Sequence, residues 1–168
     1  MGKFFRVSLL AFVAAVLAGC VLQSSTPLFK DADGVLLLGN KKQRYASYEL
    51  DQSSWKKSPD VLVFEPVLHH YKVLNGKDSA TAEFIALPDG NYVMQFDEGK
   101  GTYVYTLVSP HGKEIFLHLL VCEQLKKQNI AGVRFKKDNC FIEPQFGRSG
   151  FETLLKDLPA ANIKLRAE

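Results

Sequence analysis

Between Ala80 and Cys122 the chain alternates with a period of two, the spacing of a β-strand. Ala80–Leu87 ends at Pro88-Asp89-Gly90-Asn91, a run of turn-forming residues. Tyr92, Met94 and Phe96 then alternate with Val93, Gln95 and Asp97 up to a second turn, Glu98-Gly99-Lys100-Gly101. Tyr103, Tyr105 and Leu107 alternate with Val104, Thr106 and Val108 up to a third, Ser109-Pro110-His111-Gly112. Ile115, Leu117, Leu119 and Val121 alternate with Phe116, His118, Leu120 and Cys122. Connections this short join antiparallel neighbours, since parallel strands need long crossovers. The pattern predicts a four-stranded meander.

The flanking sequence is also strand-like, with less regularity. Val35–Leu38 is a short apolar run after Asp31-Ala32-Asp33-Gly34, and Arg44–Leu50 alternates around Tyr45 and Tyr48. Val61–Val73 is a long apolar stretch in which Pro66 predicts a bend or a division into two strands. Val133–Phe135 and Cys140–Ile142 read as two short strands, and Glu123–Gln128 as a loop or one helical turn. Ser149 and Glu152 form a capping-box pattern ahead of Phe151, Leu154, Leu155 and Leu158, which share one helical face before Pro159. The expected fold is therefore mainly β: an antiparallel meander in a curved sheet or small barrel, with one short C-terminal helix. An α+β layer is the alternative. The single domain is expected over 31–160, with 161–168 as a tail.

Composition supports a folded domain and little else. The 168 residues are 46% hydrophobic, 11% aromatic and 23% charged, ordinary values for a globular chain. The formal charge is +3, and the lysines lie in scattered pairs rather than in the basic stripe of a nucleic-acid binder. Nucleic acid is not an expected partner.

The first twenty residues carry the most specific signal. Lys3 and Arg6 precede an apolar run, Val7–Val16, too short for a membrane-spanning helix but of signal-peptide length. Leu17-Ala18-Gly19-Cys20 follows. This motif resembles the lipobox of bacterial lipoproteins. The resemblance implies a signal peptide over 1–19, diacylglycerol (and with it palmitate-type acyl chains) on the Cys20 thiol, cleavage before Cys20, and a mature charge near +1. Residues 20–30, with Gln23-Ser24-Ser25-Thr26-Pro27, read as the lipidated N-terminus and a short tether. Residue 21 is Val rather than the Asp that tends to retain such proteins at the inner membrane. In a Gram-negative cell the protein is expected at the outer membrane, facing the periplasm. The body resembles small uncharacterised lipoproteins of Proteobacteria in architecture, without a motif that carries a functional residue across.

With Cys20 assigned to lipid, Cys122 and Cys140 remain as an even pair in an exported domain, and a disulfide is expected between them. Two separate buried thiols are the alternative. Closing a loop of this length contributes about 3 kcal/mol in the chain-entropy description.

No catalytic pattern stands out. His69 and His70 are adjacent, so on a regular strand they point to opposite faces, while His111 falls in a turn and His118 in a strand. The four lack metal-ligand spacing, and no metal or cofactor is expected. Asp31, Asp33 and Gly34 begin like a calcium loop, but Leu36, Leu37 and Leu38 follow where oxygen ligands belong, so a turn is expected. Ser149 sits in Gly147-Arg148-Ser149-Gly150, which lacks the second glycine of a nucleophile elbow. The aromatic residues Phe84, Tyr92, Phe96, Tyr103, Tyr105 and Phe116 are expected mostly in the core, with a ligand cavity possible only in a closed barrel. The expected function is a non-enzymatic envelope lipoprotein with a protein partner. The alternatives are a lipocalin-like binder of a small apolar molecule and an inhibitor or partner of a cell-wall hydrolase.

Overall fold

The computed structural model describes residues 21–97 and 99–168, so Cys20 and the lipobox before it, as well as Glu98 of the second predicted turn, lie outside the described residues. In chain order the strands are β1 (Leu22–Ser24), β2 (Gln43–Asp51), β3 (Ser54–Val67), β4 (His70–Asn75), β5 (Asp78–Ala86), β6 (Tyr92–Asp97), β7 (Tyr103–His111) and β8 (Glu114–Leu119), then β9 (Val133–Lys136), β10 (Asn139–Ile142) and β11 (Ile163–Ala167). Among the described residues there are also two short α-helices, α1 (Cys122–Gln128) and α2 (Gly147–Leu155).

Eight of these strands close an antiparallel barrel. Strands β2 to β8 follow one another around the wall, and β11 fills the gap between β8 and β2. Leu165 pairs with Ile115 on one side and with Ser47 on the other. The predicted tail is therefore a wall strand. Its alternation spans only five residues and carries Lys164 and Arg166 outward, which made it look like a solvated end.

An eight-stranded barrel is just wide enough for side chains to fill. Here Phe64 sits at the centre of an aromatic group, with ring centroids 5.5 Å from Tyr45, 5.9 Å from Tyr71 and 6.5 Å from Phe84. None of these four is more than 5% exposed. Met94, Phe96, Val104, Val108, Leu117 and Leu165 belong to the same interior cluster. Residues 35–39 pack at one end of the barrel. Leu38 is buried, its N–H donates to Tyr71 Oη (3.0 Å), and Tyr71 in turn donates to the Gly39 carbonyl (2.8 Å). The expected strand over Val35–Leu38 reduces to one bridge, Val35 to Phe84.

A second core lies outside the barrel. Ile85, Val93, Tyr105 and Leu107 point outward from β5, β6 and β7, yet all are fully buried. They are covered by α1, α2, β1 and the β9–β10 hairpin, through Leu120, Leu125, Phe151 and Leu154. Strands buried on both faces carry apolar residues at both parities, which is why β6 and β7 read so strongly in the sequence. Phe151 is the centre of this layer, 5.0 Å from the Phe146 ring, 5.7 Å from Tyr105 and 5.9 Å from Phe29. A β-carbon on Gly150 would meet the Phe146 ring at 2.5 Å, so this helix position has to be glycine.

Three further expectations change. Residues 22–24 are not a tether: β1 is wedged between β7 and β10, the Leu22 N–H donates to the Leu120 carbonyl (2.9 Å), and Val21 bridges Val121. Ser149 does not cap α2. The helix begins two residues earlier, and the Ser149 hydroxyl donates to the Phe146 carbonyl (3.4 Å) from inside it. Val61–Val73 divides into two strands, β3 and β4, as one of the two expectations had it, but the break falls at the turn after Val67 (Leu68 φ +53°) rather than at Pro66, which pairs with Tyr71 within β3. The irregularity in β3 lies instead between the Val61–Ala46 and Lys57–Tyr48 pairs, around Pro59.

The Cys122 and Cys140 sulfurs are at bonding distance, with Cα atoms 5.4 Å apart, inside the range a disulfide requires. The bond ties the start of α1 to β10.

Two outcomes follow from this architecture. Ending the chain at Ala161 removes β11 and leaves β2 and β8 with open edges. The shortened protein is expected to lose its cooperative thermal transition, and a transition within a few degrees of the full chain would show that closure is dispensable. Cys122→Ser is expected to lower stability by about 3 kcal/mol in urea unfolding, and peptide mapping without reduction should recover the Cys122 and Cys140 peptides joined.

Candidate functional site

Antiparallel register lines up one outward-facing residue from each of four strands. Tyr105 pairs with Gln95, and Gln95 with Glu83. One step before the Tyr71–Ala82 pair, His70 lies beside Glu83. The result is a polar row across β7, β6, β5 and β4, beside the outward-facing apolar residues Ile85, Val93 and Leu107. Residues 24–31 cross over this row and supply its partners.

Gln95 is the centre of the row and is only 3% exposed. Its Oε1 accepts from the Leu28 N–H (2.8 Å), the Phe29 N–H (3.1 Å) and the Tyr105 hydroxyl (3.1 Å). Its Nε2 donates to the Phe29 carbonyl (3.1 Å) and to Glu83 Oε2 (2.6 Å). Every hydrogen-bonding site of the amide that matters here is occupied, as a buried amide requires. Tyr105 Oη also lies 2.7 Å from Ser24 Oγ. Burial pushes the Tyr105 phenol up to about 12, so it stays neutral and able to donate.

The row ends in a cluster of titratable groups. Asp31 comes from a short 3₁₀ turn (Asp31–Asp33), and its Oδ1 lies 2.5 Å from His70 Nδ1. Metal-ligating atoms of Asp31, His70 and Glu83 all lie within 4.8 Å of one another, and all three residues are partly buried. Burial pushes the Glu83 carboxyl above its usual range. The charges of Asp31 and Asp97 act in the same direction, against the Gln95 hydrogen bond and His70. A concavity of about 400 Å³ opens beside the cluster, lined by Asp31, Glu83, Gln95, Asp97, Tyr103 and Phe29. The turn that carries Asp31 is held in place by contact. Its last residue, Gly34, lies so close to the His69 carbonyl that a β-carbon would meet it at 2.3 Å.

The four histidines do not gather together, but one of them lies beside two carboxylates. His69 and His70 do not act together, since His69 sits in the turn and only His70 reaches the cluster. Its companions stand 39 residues before it and 13 after it. Asp33 accepts from the Lys30 N–H (2.9 Å) and belongs to its own turn, as the turn reading required. The one sequence signal for the cluster is parity: Glu83, Gln95 and Tyr105 are the polar members of alternating strands.

Other candidate residues are placed elsewhere. Phe84 and Phe96 lie inside the barrel, with Tyr92 packed against that core. Phe116 faces outward, 5.9 Å from Trp55 and 5.5 Å from His111. Nearby, Lys164 Nζ sits over the rings of Tyr48 (5.1 Å) and Trp55 (5.3 Å) and 3.2 Å from Glu114 Oε1. His118 is buried: its Nδ1 lies 2.7 Å from the Pro159 carbonyl and its Nε2 3.1 Å from Ser109 Oγ. The carbonyl fixes the proton on Nδ1, leaving Nε2 as an acceptor. Burial holds the imidazole below its ordinary value of 6.5, and the neighbouring His111 adds to this against the pull of the carbonyl.

By architecture the chain is a closed eight-stranded antiparallel barrel capped on one outer face by a helix-and-hairpin layer. No protein-family model, curated protein or solved structure matches it.

The His118 environment predicts a pH effect on stability. Its folded value is depressed, so its neutral form is favoured by folding. The contribution is complete above about pH 6.5 and is lost as pH falls from there toward the folded value. One proton changes stability by no more than about 1.4 kcal/mol per pH unit. Urea midpoints at pH 7.5 and 5.5 are expected to fall further for the wild-type chain than for His118→Asn. Equal falls would remove His118 as the cause.

Proposed function

We propose that this chain is a lipid-anchored, non-enzymatic protein of the bacterial cell envelope that works by binding a partner protein through the outside of its barrel. The observation that carries the reading is the motif itself: Leu17-Ala18-Gly19-Cys20 would place the mature N-terminus at Cys20, directly before Val21 and Leu22, which are buried against the barrel. Val21, the residue after the expected lipid site, bridges Val121.

The distribution of polarity supports anchoring over spanning. Interior positions are mostly apolar, while Arg44, Lys72 and Arg166 face outward and are exposed. A transmembrane barrel has the opposite arrangement, with an apolar band toward lipid. Among the described residues no helix is long and apolar enough to cross a membrane. Two or three acyl chains, at about 0.8 kcal/mol per buried CH₂, would make the attachment effectively permanent. In a Gram-negative cell, Val21 in place of Asp favours the outer membrane, facing the periplasm.

The closed barrel also supports a second reading, a lipocalin-like binder of a small apolar molecule. The aromatic packing around Phe64 leaves those rings no free interior surface, so such a ligand would need space elsewhere in the barrel.

Cys20→Ala is expected to abolish acyl labelling in cells and to leave the unprocessed precursor. A mature-sized Cys20→Ala protein that still sediments with the membrane would overturn the anchor. Cross-linking in intact cells should then recover one stoichiometric envelope protein, whereas recovery of the chain alone with a reproducible small-molecule mass would favour the second reading.

A further inference from the structure

We propose that Asp31, His70 and Glu83 bind a divalent d-block cation, zinc being the natural probe. The inference rests on the geometry of the barrel's outer face and does not depend on the lipid anchor.

The donor set is one imidazole and two carboxylates. This combination suits borderline cations such as Zn²⁺, which take nitrogen and oxygen ligands at about 2.0–2.2 Å. A tetrahedral ion with bonds of that length holds its ligand atoms about 3.3 Å apart. The three side chains already bring such atoms within 4.8 Å of one another. Rotation of half-exposed side-chain ends closes the difference without moving backbone. A fourth position faces the adjoining concavity of about 400 Å³, where water or an exogenous ligand has room.

The ligands are held from behind, as ligands of a metal site generally are. Glu83 is held by the buried Gln95 amide, which is itself locked by Leu28, Phe29 and Tyr105. Asp31 is held by its turn, pinned where Gly34 meets the His69 carbonyl. His70 begins β4 next to that same contact. The three ligands come from three separate segments, so a bound ion would cross-link the 24–34 crossing segment to two wall strands.

The metal-free chemistry fits the same reading. Asp31 Oδ1 and His70 Nδ1 share a hydrogen bond of 2.5 Å, with a proton between two ligating atoms. A cation bound at Nδ1 takes the place of that proton, which the neutral ring then carries on Nε2, and its two positive charges offset the two facing carboxylates.

The test uses the full chain, purified in detergent and stripped with chelator. Calorimetric titration with Zn²⁺ is expected to give one site per chain. Zinc is expected to raise the thermal midpoint, because an ion that binds only the folded state stabilises it. His70→Ala and Glu83→Gln are expected to weaken binding by at least about tenfold, and His69→Ala to leave it unchanged. Should either ligand variant fail to fold, the wild-type chain still decides the matter. Zinc should shift the imidazole resonances of His70 and leave those of His118 in place. Absence of one-to-one binding, binding that survives both ligand variants, or shifts confined to other histidines would each overturn the site.

Discussion

Closure of the barrel by β11 is the constraint on which the rest of the structure depends. Antiparallel strands β2 to β8 form a continuous curved wall, but their first and last members meet only through the five residues of β11. An unclosed wall would present two rows of unpaired backbone groups and would open the aromatic interior to water. With β11 in place Leu165 is buried, and Lys164 and Arg166 point outward. Lys164 then lies over Tyr48 and Trp55 and near Glu114, so the closing strand is also fixed by its outer face.

The closed wall creates a second problem, since β5 to β7 are apolar on their outer side as well. The chain solves it with the segments before and after the barrel strands. β1 comes from before them, and α1, the β9–β10 hairpin and α2 come between β8 and β11. Each of these elements is too short to be stable alone. They hold together around Phe151 and through the Cys122–Cys140 link. The polar row centred on Gln95 crosses this apolar face because the crossing segment 24–31 needs partners for its backbone. A buried amide with all its bonds made positions that segment more closely than apolar contact would.

That same row produces the candidate site. Gln95 and Tyr105 have their polar groups used up in binding the backbone of residues 28 and 29. Glu83 and His70, at the row's end, have theirs directed toward Asp31 and the open concavity. Structure and site are therefore one feature: segment 24–31 is stitched down along the row and delivers Asp31 where the stitching ends. A lipid at Cys20 and a cation at Asp31 would hold the chain before this segment and at its end.

Local chemistry made much of the wall legible in the sequence. The turn Pro88–Asn91 and the period-two pattern of β6, β7 and β8 specify antiparallel neighbours without any knowledge of the remainder, whereas the turn expected over Ser109–Gly112 falls at 112–113, because Ser109, Pro110 and His111 still pair with Phe116, Ile115 and Glu114. The cysteine pair was legible once Cys20 was set aside, because only two thiols remained. The lipobox-like run Leu17-Ala18-Gly19-Cys20, as a linear motif, could be read only from sequence. Tertiary structure decided everything that depends on distant pairing. Residues 163–167 became a wall strand because two edges required one, and residues 22–24 became a strand because the outer face of β7 needed cover. Ser149 lost its capping role because Phe146 and Gly150 pack where a cap would form. Asp31, His70 and Glu83 are separated by 39 and 13 residues, and only the register of β4 against β5, together with the path of the crossing segment, brings them together. Alternation determines which side of a strand a residue faces. Which strand stands beside it, and what crosses over it, is set by closing the barrel and burying its outer face.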